Sequence, residues 1–162
     1  MLKMSLNIVF EKNSKLLRIT YKQSGKPDEI IQMEAHSGGW DAYKALPKGK
    51  WTITENPSGD KTYFALFYND KKINDQFKQA GKWRDGIRFG FHSIIGSHGC
   101  IMTKPAAGET YVDAEKNWKK IQTLIRTKRL RKIISYQNNE NPRIRDNTTY
   151  RVSSYGELTV AD

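Results

Sequence analysis

The sequence predicts a mainly β chain with one substantial α-helix, and three observations carry that prediction. Short runs of branched and aromatic residues recur along most of the length, each bounded by Gly, Pro, Asn or Ser. Only one stretch, from Val112 to Arg131, repeats its apolar residues at helical spacing. With 162 residues, one hydrophobic core serves the whole molecule, so residues 1–162 are expected to form a single domain.

Leu6 to Phe10 and Leu16 to Tyr21 flank Asn13-Ser14 and read as a β-hairpin, and Glu29 to Met33 reads as a further strand. Ser37-Gly38-Gly39 reads as a flexible loop. Leu46-Pro47-Lys48-Gly49 makes a turn into an alternating strand in which Trp51 and Ile53 share a face. Tyr63 to Tyr68 is aromatic enough for a buried strand. Residues 70 to 87 are polar, contain Gly81 and Gly86, and are assigned to a loop with room for a short helix. Phe89-Gly90-Phe91 resumes a strand. The helix takes Asp113 as its cap and buries Trp118, Ile121, Leu124 and Ile125, leaving a lysine-rich opposite face. Ile133-Ile134, Thr148 to Val152 and Glu157 to Val160 close the fold as strands, with a polar stretch from Gln137 to Asp146 between them.

Lysine and arginine outnumber aspartate and glutamate by 28 to 17, a balance that concentrates anionic partners such as nucleic acid, anionic membrane or wall polymer. No run approaches the length needed to span a bilayer, so no membrane span is expected. The start Met1-Leu2-Lys3-Met4-Ser5 lacks the apolar run of a signal peptide, so any export is expected to proceed without a cleavable signal. A single cysteine, Cys100, forms no intramolecular disulfide and is read as a free thiol.

The chemistry concentrates in Arg88-Phe89-Gly90-Phe91-His92-Ser93-Ile94-Ile95-Gly96-Ser97-His98-Gly99-Cys100-Ile101. A thiol attacks as thiolate, and an ordinary cysteine is mostly protonated at neutral pH, so it needs a basic neighbour. If His92 ends one strand and Cys100 begins the next, a short loop brings imidazole and sulfur together. Gly99 lets the chain approach a substrate closely, and amides near Gly99 and Cys100 suit an oxyanion hole.

Ser97-His98-Gly99-Cys100-Ile101 resembles the [S/T]-H-G-C-apolar signature of L,D-transpeptidases, with His92 in the place of their upstream histidine. The interval of eight positions from His92 to Cys100 is shorter than usual and is similar to the branch of secreted antibacterial effectors with this activity. Ala35-His36-Ser37-Gly38-Gly39 and Leu46-Pro47-Lys48-Gly49-Lys50-Trp51-Thr52-Ile53 resemble further segments of that branch. The resemblance spans roughly residues 35 to 103. Two positions depart from it. Ser93 replaces a glycine, and Met102 stands where many relatives carry arginine or asparagine, which leaves the residue that holds the substrate carboxylate unassigned.

What the resemblance implies is a β-sandwich or barrel of L,D-transpeptidase type that needs no cofactor and acts on peptidoglycan stem peptides. Cys100 would be the nucleophile and His92 its base, with Ser93, Ser97, His98 and Gly99 supporting the loop and oxyanion. His36, Gly38, Arg88 and Trp83 are candidate substrate contacts. The setting implied is the bacterial periplasm or cell wall, reached by a specialised secretion route, with a cognate immunity protein in the producer.

Two rival classes use residues of the same sequence. His36, His92, His98 and Cys100 are all zinc-ligating types, although their spacing fits no common zinc pattern. The basic run Arg126, Lys128, Arg129, Arg131, Lys132 suits phosphate contacts in a binding module, and nucleic acid is ranked below the enzyme. Trp40, Tyr43 and Trp83 are candidate cleft aromatics, whereas Phe89 and Phe91 are expected in the core.

Overall fold

Eleven strands and one helix make up the computed structural model, which describes residues 4–39, 44–92 and 99–162. In chain order the elements are β1 (Met4–Glu11), β2 (Leu16–Gln23), β3 (Glu29–Ser37), β4 (Gly49–Glu55), β5 (Phe64–Tyr68), β6 (Gln76–Gln79), β7 (Lys82–Asp85), β8 (Arg88–Phe91), β9 (Ile101–Lys104), α1 (Tyr111–Lys128), β10 (Lys132–Asn138) and β11 (Asp146–Ala161). The mainly β expectation with one helix holds. Nine strands join in the order β1-β2-β3-β9-β8-β5-β4-β11-β10, and a parallel pairing of β1 with β11 closes the sheet into a barrel-like form. A closed sheet removes most open edges, which would otherwise template aggregation.

Alternation explains the strands. In β1 and β2, Leu6, Ile8, Phe10, Leu17, Ile19 and Tyr21 are buried at every second position, so one face of the hairpin enters the core. The helix adds Ala114, Trp118, Ile121, Leu124 and Ile125 to the same cluster, and Trp118 packs edge-on against Phe89 and Phe64. Phe89 and Phe91 are core residues, as expected. Thr110, not Asp113, caps the helix: its hydroxyl accepts from the Asp113 amide at 3.1 Å, which places Asp113 in the first turn where its charge suits the helix dipole.

Two other expectations change. Within residues 70 to 87, Gln76–Gln79 and Lys82–Asp85 form the separate antiparallel hairpin β6–β7 in place of the expected loop with a short helix. Its strands carry only Phe77 and Gln76 as buried residues, too few to show an alternating pattern in the sequence. The two closing strands are one 16-residue strand, β11, that pairs with β10 through its first half and with β4 and β1 through its second. A register shift between Ser154 and Glu157, with Gly156 at φ 77°, lets one strand serve both sides.

A part-buried ion pair and a set of arginine–carbonyl bonds tie the helix and its end to the barrel. Glu55 at the end of β4 accepts from Arg126 Nε at 2.6 Å and Nη2 at 3.1 Å, and from the Tyr155 hydroxyl at 3.1 Å. Burial pushes this carboxyl up, but the hydrogen bonds and charge of Arg126, helped by Lys61, outweigh that and hold it below its ordinary range. Just past the helix, Arg129 donates to the carbonyls of Tyr155, Glu157 and Leu6, bridging the β11 irregularity to β1. Two members of the basic run are therefore committed to internal contacts, which weakens the reading of that run as a phosphate-gripping surface.

Candidate active site around Cys100

Three neighbouring strands carry the candidate site. In β9, Ile101 and Thr103 are fully buried, so Cys100, Met102 and Lys104 belong to the opposite face of the sheet. Across β9, β3 runs antiparallel with Ser37 opposite Ile101, His36 opposite Met102 and Glu34 opposite Lys104. On the other side β8 runs parallel, with Phe89 opposite Ile101 and Phe91 opposite Thr103. Direct partners point to one side, so Arg88, Gly90, His92, His36 and Glu34 share the face that carries Cys100.

The parallel register decides which of these groups can meet. Continuing it places Cys100 level with Arg88 and His92 level with Lys104, in keeping with the His92 amide donating to the Thr103 carbonyl at 3.0 Å. His92 thus stands four residues along the ladder from Cys100, about 13 Å at strand rise. The expected short loop joining imidazole to sulfur would require the two strands to meet end to start. Because β8 and β9 run parallel, the two residues share a face but lie at opposite ends of it. His36 is nearer: it is a diagonal neighbour of Cys100, at a typical Cα spacing of about 7–8 Å.

The sulfur is half-buried. It accepts from the Arg88 amide at 3.2 Å, and its S–H points to the Gly86 carbonyl at 3.8 Å. Burial pushes the thiol up from its ordinary range, opposed by the Arg88 amide and by the charges of Arg88 and Arg84. At neutral pH the resting group is therefore the thiol, and a base must remove its proton during the reaction.

Gly99 has φ 105°, a backbone conformation that side chains rarely adopt, and a β-carbon there would overlap the Arg84 guanidinium. The Ser37 hydroxyl donates to the Gly99 carbonyl at 2.7 Å and accepts from the Leu46 amide at 3.0 Å, pinning the residue before the nucleophile to β3. Gly38, buried with φ 79°, follows Ser37 at the level of Cys100. His36 Nε2 lies 2.9 Å from Glu34 Oε2, which also receives Lys104 Nζ at 2.7 Å. Hydrogen bonds from Lys104 first, then His36, hold the Glu34 carboxyl below its ordinary range.

Other candidates are redirected. Both ends of the Arg88 fork bind Asp75, Nη1 to Oδ1 and Nη2 to Oδ2 at 3.1 Å each, so this arginine anchors the β6 approach to β8 instead of waiting for a substrate carboxylate. Trp83 pairs across the hairpin with Lys78, whose ammonium lies 5.7 Å from its ring. Its neighbour Arg84 takes the opposite face of β7, over Phe77 and towards Gly99, so Arg84 and not Trp83 is the hairpin's contribution to the site. Tyr63, a residue that sequence reasoning assigned to a strand, lays its ring on Gly90 between the levels of Cys100 and His92. Ser93, Ser97, His98, Trp40 and Tyr43 lie outside the described residues.

Among the described residues no three His, Cys, Asp or Glu side chains converge as a metal-binding group, and no helix is long and apolar enough to cross a membrane. The chain matches no family model, no curated protein and no solved structure.

Proposed function

We propose that this protein is a cysteine-dependent L,D-transpeptidase or L,D-carboxypeptidase acting on peptidoglycan stem peptides. The observation that carries the reading is the placement of the chain's single thiol. Cys100 lies at the mouth of β9, half-buried, beside the left-handed Gly99 and two guanidiniums, on a sheet face shared with two histidines. The Ser97–Ile101 signature supplies the reaction class.

In this reading the Cys100 sulfur attacks the carbonyl carbon of the third stem residue. A thioester bond forms, the bond to the terminal D-alanine nitrogen breaks, and the thiol proton travels through an imidazole to the departing amine. A second stem peptide, a free D-amino acid or water then attacks the thioester and restores the thiol. His92 is the imidazole that the resemblance implies; its separation along the ladder means that its proton transfer runs through a relay such as water or the substrate amine. His36, paired with Glu34, is the nearer imidazole of the described register. The same resemblance suggests an antibacterial effector that works in a competitor's periplasm or wall and is matched by an immunity protein.

Mass spectrometry of purified muropeptides, with and without an added D-amino acid, tests the reading. Wild type should release D-alanine or exchange it, Cys100→Ala should do neither, and His92→Ala should suppress acylation. His98→Ala should act mainly through loop geometry. Undiminished D-alanine release by Cys100→Ala ends the proposal, and equal, mild losses in His92→Ala and His98→Ala remove His92 as the base.

A further inference from the structure

We infer that the open groove between the turn before β6 and the outer side of β10 is a binding site for a neutral, hydroxyl-rich chain, an oligosaccharide. The groove shares no residue with the Cys100 site and would serve this role whatever that thiol does.

β10 is the last strand of the sheet, and the turn before β6 crosses its end. The Asn74 side chain donates to the Gln137 carbonyl at 3.2 Å, and the Asp75 amide donates to Asn138 Oδ1 at 3.0 Å. Beside this crossing lies a cavity of about 500 Å³, within the range of ligand clefts. Lys72, Ile73 and Asn74 line it from the turn, and Ser135, Gln137, Asn139 and Thr149 from the β10–β11 hairpin. Tyr136 completes the lining. Seven of these eight described residues end in a hydroxyl, an amide or an ammonium, and their carbon stems and Ile73 supply apolar surface between the polar groups. A sugar chain alternates hydroxyls with C–H faces in the same way. The groove is open to solvent, which suits a ligand that continues past it better than one that must be enclosed.

The amides are set before any ligand arrives. Gln137 Nε2 donates to the Asn147 carbonyl at 3.1 Å and to Thr149 Oγ1 at 3.0 Å, and Gln137 Oε1 accepts from Asn139 Nδ2 at 3.0 Å. Asn74 Oδ1 accepts from the Gln76 amide at 2.9 Å. These bonds lower the ordering cost of binding without exhausting the groups that make them. The Thr149 hydroxyl accepts from Gln137 and still has a proton to give, and Asn139 keeps a second N–H and its carbonyl oxygen. Charge favours a neutral ligand. Lys72 is the one charged side chain among the described lining residues, and Asp70 and Glu140 share the field of Lys71 and Lys72. Tyr136 stays protonated, because burial first and the Asp75 carboxylate next push its hydroxyl up to about 12. A peptide strand adding to β10 fits less well. The ladder shifts register between Tyr136 and Asn138, and the Gln137 carbonyl is already taken by Asn74.

Amide NMR of the full chain, titrated with the N-acetylglucosamine tetramer and with cellotetraose, reads the site directly. Saturable shifts from either sugar should fall on residues 72–74, 135–137, 139 and 149. The affinity should change less than about twofold between low and high salt, because no ion pair with the ligand forms. Thr149→Val should weaken binding about fivefold, the loss of one neutral hydrogen bond. Gln137→Ala should weaken it about tenfold or more, because Asn139 and Thr149 lose their tether as well. Cys100→Ala should bind the sugars as wild type does. No saturable shift with either sugar at millimolar concentration, loss of binding in Cys100→Ala, or wild-type affinity in folded Thr149→Val and Gln137→Ala proteins would overturn the assignment. So would a single-stranded oligodeoxynucleotide that binds the same residues more tightly than either sugar and loses affinity steeply with salt, which would make the groove a polyanion site.

Discussion

Replacing Glu55 by glutamine should destabilise the fold by about 2 kcal/mol at pH 7, and the penalty should fade in acid. Glutamine keeps the shape but loses the charge, and one of its two terminal atoms becomes a donor facing Arg126. Two guanidinium bonds, at 2.6 and 3.1 Å, change from charge-assisted to neutral or repulsive. Each such change costs about 1–1.5 kcal/mol. The Arg126 side chain is 26% exposed, so water recovers part of that loss and about 2 kcal/mol remains. The pH dependence follows from the depressed carboxyl. A group whose folded pKa is lowered contributes stability that is present above its unfolded value, near 4.3, and lost as pH falls through the folded value. Urea unfolding of both proteins at pH 7 and at pH 3 measures the difference. An equal gap at the two pH values, or a gap below about 0.5 kcal/mol at pH 7, would refute the account of Glu55 as the ionised link between barrel and helix.

Further outcomes follow from the site. Cys100→Ala should unfold within about 1 kcal/mol of wild type in urea, because it removes one half-buried sulfur, so any loss of turnover in it reports chemistry. Gly99→Ala should cost about 1–3 kcal/mol in the same assay, because φ 105° strains alanine and its methyl displaces the end of Arg84. Alkylation of Cys100 by iodoacetamide should follow a titration midpoint above the ordinary thiol value of about 8.5, and Arg84→Gln should move it higher by removing a cation that favours the thiolate. A midpoint at or below the ordinary value would show that burial does not dominate the sulfur's surroundings.

Local patterns reached a long way into this chain. Alternating Leu6, Ile8 and Phe10 against Leu17, Ile19 and Tyr21 specified the first hairpin, and the 3.6-residue spacing of Trp118, Ile121 and Ile125 specified the helix, because burial of one face needs nothing beyond the element's own period. A lone thiol within eight positions of two histidines likewise marked the chemistry without any fold. Partners distant in sequence were beyond that reach. Arg84 comes to Gly99 on a hairpin whose strands bury too little to announce themselves, and Ser37 reaches Gly99 only because β3 lies antiparallel to β9. The sense of the β8–β9 pair also belongs to the tertiary fold. Two strands separated by a short segment read alike whether they run parallel or antiparallel, yet that choice sets His92 at the far end of the ladder and leaves His36 at the nearer level of the sheet. Side-chain periodicity reports which face a residue takes, whereas its level along a neighbouring strand depends on pairings made elsewhere in the barrel.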